Sequence, residues 1–432
     1  MRYSQPFGSP TPPLGVYPRY INGNPVTGTE GSIPPATAID EDQIEIVTVI
    51  QNAGLTPDHN DLTQLWQAIQ SLIAQKYITT AITKRVHGAG ADFVDLNAAF
   101  QWLGQYIITS SGFVTFLVAA GRWTYTTSVE INHANANRVT IQGGALLGAS
   151  PTADNISCTG YATSADGTNQ VIYLRSIYAT ELSFTGGVSG FVIRRGGMTL
   201  RYLLLTGSQT MTTNVTGRGL DCYDDLFIDG ISIWGFGDDG IAISDCTVSM
   251  ASSLSMAICY CGMGYVTGPM YGGINIYGGM FQGVVGGGEV IIASCSGIGL
   301  SLNGGWGWFN KLTVKGSGGP GGVGASGFGI VTYGGGSIAV SAGLYVLLNQ
   351  STGVWIAGGG FILGENSYYQ NNGGQGIVVL GGVAWVNNST LNGNVTWDIN
   401  ATDGGFVDAT GASYGTSSPT PNTNVGWGYV LH

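Results

Sequence analysis

Between positions 221 and 245 the sequence places Asp221, Asp224, Asp225, Asp229, Asp238, Asp239 and Asp245. Paired carboxylates can cleave a glycosidic bond, one protonating the leaving oxygen while the other activates water or attacks the sugar. The sharpest pair is Asp238 and Asp239, inside Gly237-Asp-Asp-Gly-Ile-Ala-Ile243, with Asp225 as a third candidate. A structural reading of the same residues stands beside this one. Arg218-Gly-Leu-Asp-Cys222 aligns with Asp239-Gly-Ile-Ala-Ile243, so Arg218 would stack on Asp239 as an ion pair between successive turns of a repeat. The four histidines, His59, His87, His133 and His432, lie outside this stretch. Cys158, Cys222, Cys246, Cys259, Cys261 and Cys295 form no Cys-x-x-Cys pair and are read as free, mostly buried thiols. No metal site is expected. No Gly-Lys-Ser/Thr occurs and no Gly-x-Ser-x-Gly stands in a strand-to-helix setting, and no cofactor is expected.

A second set of residues suits binding. Trp306, Trp308, Tyr333, Tyr345, Trp355, Tyr368, Tyr369, Trp385 and Trp397 sit in a region with no Lys or Arg after Lys315 and only Glu365, Asp398, Asp403 and Asp408 as acids. Aromatic faces on a near-neutral β surface stack on sugars, and Trp306, Trp308, Tyr368 and Tyr369 are the candidate glycan contacts. Side chains alternate along a strand, so Tyr368 and Tyr369 cannot both point inward. The formal net charge of −11 argues against nucleic acid as a partner. With 44% hydrophobic and 9% charged residues, the chain lacks a disordered composition. Its longest apolar run, around Phe113 to Ala120, is too short to span a bilayer, and Met1-Arg-Tyr-Ser-Gln-Pro6 lacks a signal-peptide core. No membrane insertion is expected.

The elements that must carry these residues repeat. The last glycine before each apolar run is Gly336, Gly360, Gly382 and Gly405, and Asn349, Asn371 and Asn394 recur in phase. Such a period of about 23 residues, with short strands between Gly and Asn corners, reads as an all-β solenoid, a right-handed parallel β-helix. One turn cannot bury its own apolar side chains, but stacked turns can. About 12 turns are expected, at roughly 4.8 Å each. Gly316-Ser-Gly-Gly-Pro-Gly-Gly-Val-Gly324 interrupts the period and is expected to be a loop. Phe93, Leu96, Ala99, Phe100 and Leu103 predict a short helix that closes the open end of the solenoid.

Upstream, residues 1–35 hold eight of the 14 prolines and read as an extended arm. A helix is predicted from Asp40 to Asn52, ended by Ala53-Gly54. A second is predicted to be capped by Thr56 with Pro57 at its first position, carrying Leu62, Leu65, Trp66, Ile69, Leu72 and Ile73 on one stripe. That stripe is either half of a local hairpin or a self-association seam. The organisation is thus an arm and helical module over 1–85, a capped shaft over 86–411 and a tail over 412–432.

Tyr20-Ile-Asn-Gly-Asn-Pro-Val-Thr-Gly-Thr-Glu-Gly-Ser-Ile-Pro-Pro-Ala36, with Ile46-Val-Thr-Val-Ile-Gln-Asn-Ala-Gly-Leu-Thr-Pro57 and Asp61-Leu-Thr-Gln-Leu65, resembles the N-terminal module of tailed-phage and prophage tail-fibre proteins. The block Gly88 to Leu103, followed by Phe113-Val-Thr-Phe-Leu-Val118, is similar to the opening of pectate-lyase-like β-helices, tailspikes included. These resemblances imply a virion tail protein, assembled in the host cytoplasm. They imply attachment to the tail or baseplate through residues 1–80, a homotrimeric assembly, and recognition of host surface polysaccharide. Gly237-Asp-Asp also resembles one motif of polygalacturonase-type hydrolases, but that family's Asn-Thr-Asp, Gly-His-Gly and Arg-Ile-Lys motifs are missing. A polysaccharide depolymerase using the Asp221–Asp245 cluster, and a structural baseplate component without receptor contact, remain the alternatives.

Overall fold

The computed structural model describes residues 26–27, 36–58, 60–74, 76–159, 163–208, 217–262, 272–283, 286–318, 327–418 and 428–432. The arm over 1–35 and the loop within 316–324 lie largely outside them. The described residues form two compact units, Met1–Ile78 and Thr79–His432.

In the first unit, helices Ala36–Asn52 and Gln64–Ala74 pack through Ile50, Ala53 and Ala68, flanked by Val49, Leu55 and Leu72. The first helix begins four residues before the expected Asp40. The second begins well after Thr56, because the intervening polar side chains hold turns instead. Asp58 accepts from Asn60 N at 2.9 Å and Asp61 from Thr63 N at 2.9 Å, while Gln64 bonds both Asp58 N and Thr56 O at 2.7 Å. Asp side chains that bond two residues forward compete with helical backbone and fix the start of the helix after them. The local hairpin therefore exists, and it uses Leu72. The rest of the stripe, Leu62, Leu65, Trp66, Ile69 and Ile73, stays exposed, Leu62 at 94% and Trp66 at 64%.

The second unit is a parallel β-helix. Each turn contributes one strand to each of three faces; for example Ser337–Val340, Leu344–Leu347 and Val354–Ala357 make one turn, and Phe361–Leu363, Tyr368–Gln370 and Ile377–Leu380 the next. The second and third faces hold 11 parallel strands each and the first holds 13. Eleven turns are thus complete, and the first face has an extra strand at each end, Ala81–Val86 and Gly428–Leu431. The shaft therefore starts before residue 86 and takes up strands beyond residue 411.

Burial follows the alternation of the strands. On the third face Ile241, Ile274, Leu300, Ile330, Val354, Ile377 and Ile399 stand in one register, all inside the lumen. Each such side chain contributes about 1.5–3 kcal/mol by leaving water. The expected closing helix is present as Leu96–Leu103, with Asp95 accepting from Ala98 N at 2.8 Å. Phe93, Phe100 and Trp102 meet Phe116, the lumen residue of the first complete turn.

The corners shift two details of the sequence reading by one residue. Between the second and third faces, Tyr260, Ser294, Gly316, Leu348, Asn371 and Gly393 take the left-handed conformation. The residues that follow them, Cys261, Cys295, Ser317, Asn349, Asn372 and Asn394, point inward. The amide ladder is therefore Asn349–Asn372–Asn394, and Asn371 is the turn residue beside it. Asn349 donates to Asn372 Oδ1 from Nδ2 at 2.9 Å, and Asn372 to Asn394 Oδ1 at 2.9 Å. Asn394 ends the ladder on Asp398 Oδ1 at 2.8 Å. Likewise positive φ falls on Gly335, Gly359, Gly381 and Gly404, one residue before the glycines singled out by the spacing. Gly382 is required for room instead, since a Cβ there would lie 2.5 Å from Ile356 Cγ2 and 2.7 Å from Gly360 O.

One excursion was not anticipated. Between Val139–Gln142 and Thr180–Phe184 the chain leaves the helix and forms Ser164–Ile177, capped by Thr163. Leu174, Ile177, Tyr178 and Ile156 cover outward-pointing Leu204, Ala257, Cys259, Ile291 and Ala293 on the second face. Trp234 Nε1 donates to Gly167 O at 3.0 Å, Gln170 Nε2 to Ser294 Oγ at 2.8 Å and Lys315 Nζ to Ile156 O at 2.8 Å.

The ladder makes a test of register. Asn372→Ala strips partners from Asn349 and Asn394 inside the shaft and should lower unfolding free energy by about 2–3 kcal/mol. Asn371→Gly should change it by less than about 0.5 kcal/mol, because glycine accepts the left-handed backbone. Urea denaturation of both variants reads the difference, and equal losses would remove the ladder assignment.

Candidate functional site

The acidic residues separate onto two corners. Asp238 and Asp239 precede the third-face strand Ile241–Ser244, at its junction with the second face. Arg218, one turn earlier, reaches Asp238 Oδ2 at 3.1 Å and Asp239 Oδ2 at 3.7 Å, and Asp221 Oδ1 at 2.9 Å. The ion pair between turns is present and is wider than the single contact expected, with three carboxylates around one guanidinium. Asp239 is fully buried and accepts from Gly272 N at 3.0 Å and from Asn275 Nδ2 at 3.4 Å. Burial first, then the charge of Asp238, raise its pKa to about 7. Burial likewise raises Asp238. A pKa near 7 is what a general acid needs, but Asp239 has no surface from which to reach a substrate.

Asp225 lies elsewhere. It sits before the first-face strand Leu226–Asp229, where the third face turns into the first, and accepts from Thr247 N at 2.8 Å. Its corner carries two adjoining hollows, both lined in part by Asp225. One, of about 560 Å³, is lined also by Asn135, Asn137, Arg138 and Asp224. The other, of about 500 Å³, is lined also by Asp245, Thr247, Met280, Trp306 and Ser337. The floor of the second hollow depends on a column of left-handed residues, Asp245, Gly278 and Gly304, at +53°, +66° and +65°. A Cβ on Gly278 would lie 2.2 Å from Asp245 Oδ1, so this glycine leaves room for the carboxylate. Thr247, Met280, Trp306 and Ser337 then stand one above another on successive strands.

The aromatic candidates part in the same way. Tyr369 is fully buried in the lumen and presents nothing to solvent; Tyr368, beside it, points outward. Tyr368 stacks on Tyr345 of the preceding turn, centroids 5.1 Å apart and planes within 10°, so one of its faces is occupied. Trp308 is half-buried. Trp306 is 55% exposed, and no ring contact occupies it among the described residues. Trp385 pairs edge-on with Phe361, and Tyr429 stacks on Phe406. Of the four candidates, Trp306 alone joins exposure to an unoccupied indole face, and it shares its hollow with Asp225.

The structure thus brings Asp225 and Trp306 together and leaves Asp238 and Asp239 at another corner. Sequence spacing groups Asp245 with the other acids and gives it no separate role; its signal is a polar residue at the turn position where the next five turns carry glycine, Gly278, Gly304, Gly334, Gly358 and Gly381. The six cysteines are free, and burial pushes the thiols of Cys222, Cys246, Cys259, Cys261 and Cys295 up, away from nucleophilic use. Among the described residues no group of three or more His, Cys, Asp or Glu side chains is placed to hold a metal ion, and no helix is long and apolar enough to cross a membrane.

Asp239 yields a pH prediction. Its folded pKa lies above the unfolded value near 3.8, so the unfolded chain gives up this proton first as pH rises. The contribution is fully present below about pH 4 and is lost as pH rises through about 7. Asp239→Asn should therefore flatten the decline in thermal midpoint across that window, with Asp238 leaving a residual slope of the same sign. A variant that follows the unmodified protein in parallel over the whole range would exclude this role for Asp239.

No protein-family model matches the chain, and no curated protein matches it. Among solved structures, the chain is similar over 84% of its length to Geobacillus virus E2 ORF18, at 11% identity and a TM-score of 0.38, and spans 63% of that protein.

Proposed function

We propose that this chain is a subunit of a phage tail fibre or tailspike that recognises glycan on the host surface. The observation that carries the recognition half is Trp306: an exposed indole with an unoccupied face, in a corner hollow that also holds Asp225 and Asp245. Flat hydrophobic faces take the C–H side of a sugar ring, and carboxylates accept from its hydroxyls. The attachment half rests on the tail-fibre-like module over residues 20–65. It is supported by the exposed edge Leu62, Leu65, Trp66, Ile69 and Ile73, which suits burial between identical copies. We infer a homotrimer from that edge together with the resemblance.

A depolymerase is the second reading, favoured by two carboxylates, Asp225 and Asp245, along one hollow. A baseplate component without receptor contact would bind no cells.

Purified protein labelled and mixed with host cells should adsorb, and Trp306→Ala should weaken adsorption at least about tenfold, equal to about 1.4 kcal/mol. Release of reducing ends from host polysaccharide during the same incubation would move the depolymerase ahead; adsorption unaltered by Trp306→Ala removes this site from recognition. Native mass measurement should give three copies. Removal of residues 1–80 should abolish incorporation into tails while the shaft still adsorbs, and a stable full-length monomer at micromolar concentration would defeat the trimer.

A further inference from the structure

The hollow around Trp306 has a charge character that narrows its ligand. Its lining includes Asp225 and Asp245 and no Lys, Arg or His. Asp225 is held by one backbone N–H, and the exposed Asp245 carboxylate has no hydrogen-bond or ion-pair partner among the described residues. Elsewhere in the shaft, acids are neutralised where they cluster: Arg218 serves Asp221, Asp238 and Asp239, while Arg122 and Arg175 serve Glu181 at 3.2 and 2.9 Å. The adjoining hollow supplies Asp224 as well as Arg138. Two carboxylates without a counter-ion, in a hollow that also holds an open indole face, attract ammonium groups along its length, through charge at the acids and through the ring quadrupole at the indole. The same charges, in a chain of net charge −11, repel uronates, sialic acids and phosphorylated polymers.

Geometry adds the form of the ligand. Asp225, Thr247, Met280 and Trp306 climb the corner on four successive turns. Their spacing of roughly 4.8 Å per turn is close to the repeat of an extended hexose chain. A linear polysaccharide lying along this corner would present one sugar to each turn.

We propose that the hollow binds a linear hexosamine chain with free amines that runs along the corner, the ammonium of one sugar held at Asp225 and Asp245 and the ring of another sugar, farther along the chain, stacked on Trp306. This rests on the glycan-recognition reading and specifies its chemistry.

The test titrates full-length protein calorimetrically with three hexamers: glucosamine, N-acetylglucosamine and galacturonic acid, at about pH 6, where the free amine is charged. The glucosamine hexamer should bind at least about tenfold more tightly than the N-acetylated one at low salt, with the advantage shrinking at high salt. The Asp225→Asn, Asp245→Asn double variant should bring the two to equal affinity. Asparagine keeps the acceptor for Thr247 N and tolerates the left-handed backbone at 245, so the fold is preserved; an unchanged melting temperature checks this. Trp306→Ala should weaken both ligands. Equal or tighter binding of the N-acetylated hexamer overturns the ammonium assignment while leaving glycan recognition standing. Tighter binding of galacturonate, or binding of none of the three, overturns it also. Host adsorption that survives Trp306→Ala unchanged is the separate result that defeats the recognition reading itself.

Discussion

The structure depends on one constraint: every backbone N–H and C=O of a strand must find its partner one turn away in the same register. Parallel pairing with the next turn satisfies those groups only if each turn keeps the same positions for strand and corner. Whatever stands at one position in one turn is then stacked on its equivalent in the next. Ile stacks on Ile in the lumen, Asn on Asn at one corner, and Phe281 on Phe309 with centroids 5.1 Å apart. The ion cluster of Arg218 and the hollow of Trp306 are both products of that stacking, one compensating charge between turns and the other leaving it uncompensated.

This constraint explains what could be read in the chain. A period of 22–24 residues survives in the glycines and asparagines because they take the left-handed corners at least cost, although Tyr260, Ser294 and Leu348 hold the same conformation in other turns, so the solenoid was legible. The one-residue offsets were not. Asn371 and Asn372 are adjacent and either satisfies the spacing; backbone dihedral and side-chain direction distinguish them, and neither is visible in a run of identical residues. The same holds for Gly381 and Gly382. The pairing of Arg218 with Asp239 was legible by aligning two turns, whereas its extension to Asp221 and Asp238 depended on side-chain reach.

The excursion over residues 143–179 was illegible for another reason. Ser164-Ala-Asp-Gly-Thr-Asn169 has weak helical propensity, and the helix is held by burial against strands far along the chain. Its signature was displaced onto those strands, as apolar residues such as Ala257, Cys259 and Ile291 at outward positions. The hollow beside Trp306 was half legible. Asp225 and Trp306 had each been singled out for chemistry, but no local pattern could say that the corner joins them, because their proximity arises from counting turns.

The same excursion has a mechanical consequence. A stack of near-identical turns can fail by peeling, each turn detaching from the next with little resistance beyond its own bonds. The segment over the second face contacts Leu204, Trp234, Cys259, Ala293 and Lys315, residues from five successive turns, so none of those turns can detach without releasing the segment that also grips the other four. Force arriving along the shaft would meet a brittle clamped block in this stretch and a row of independent links beyond it.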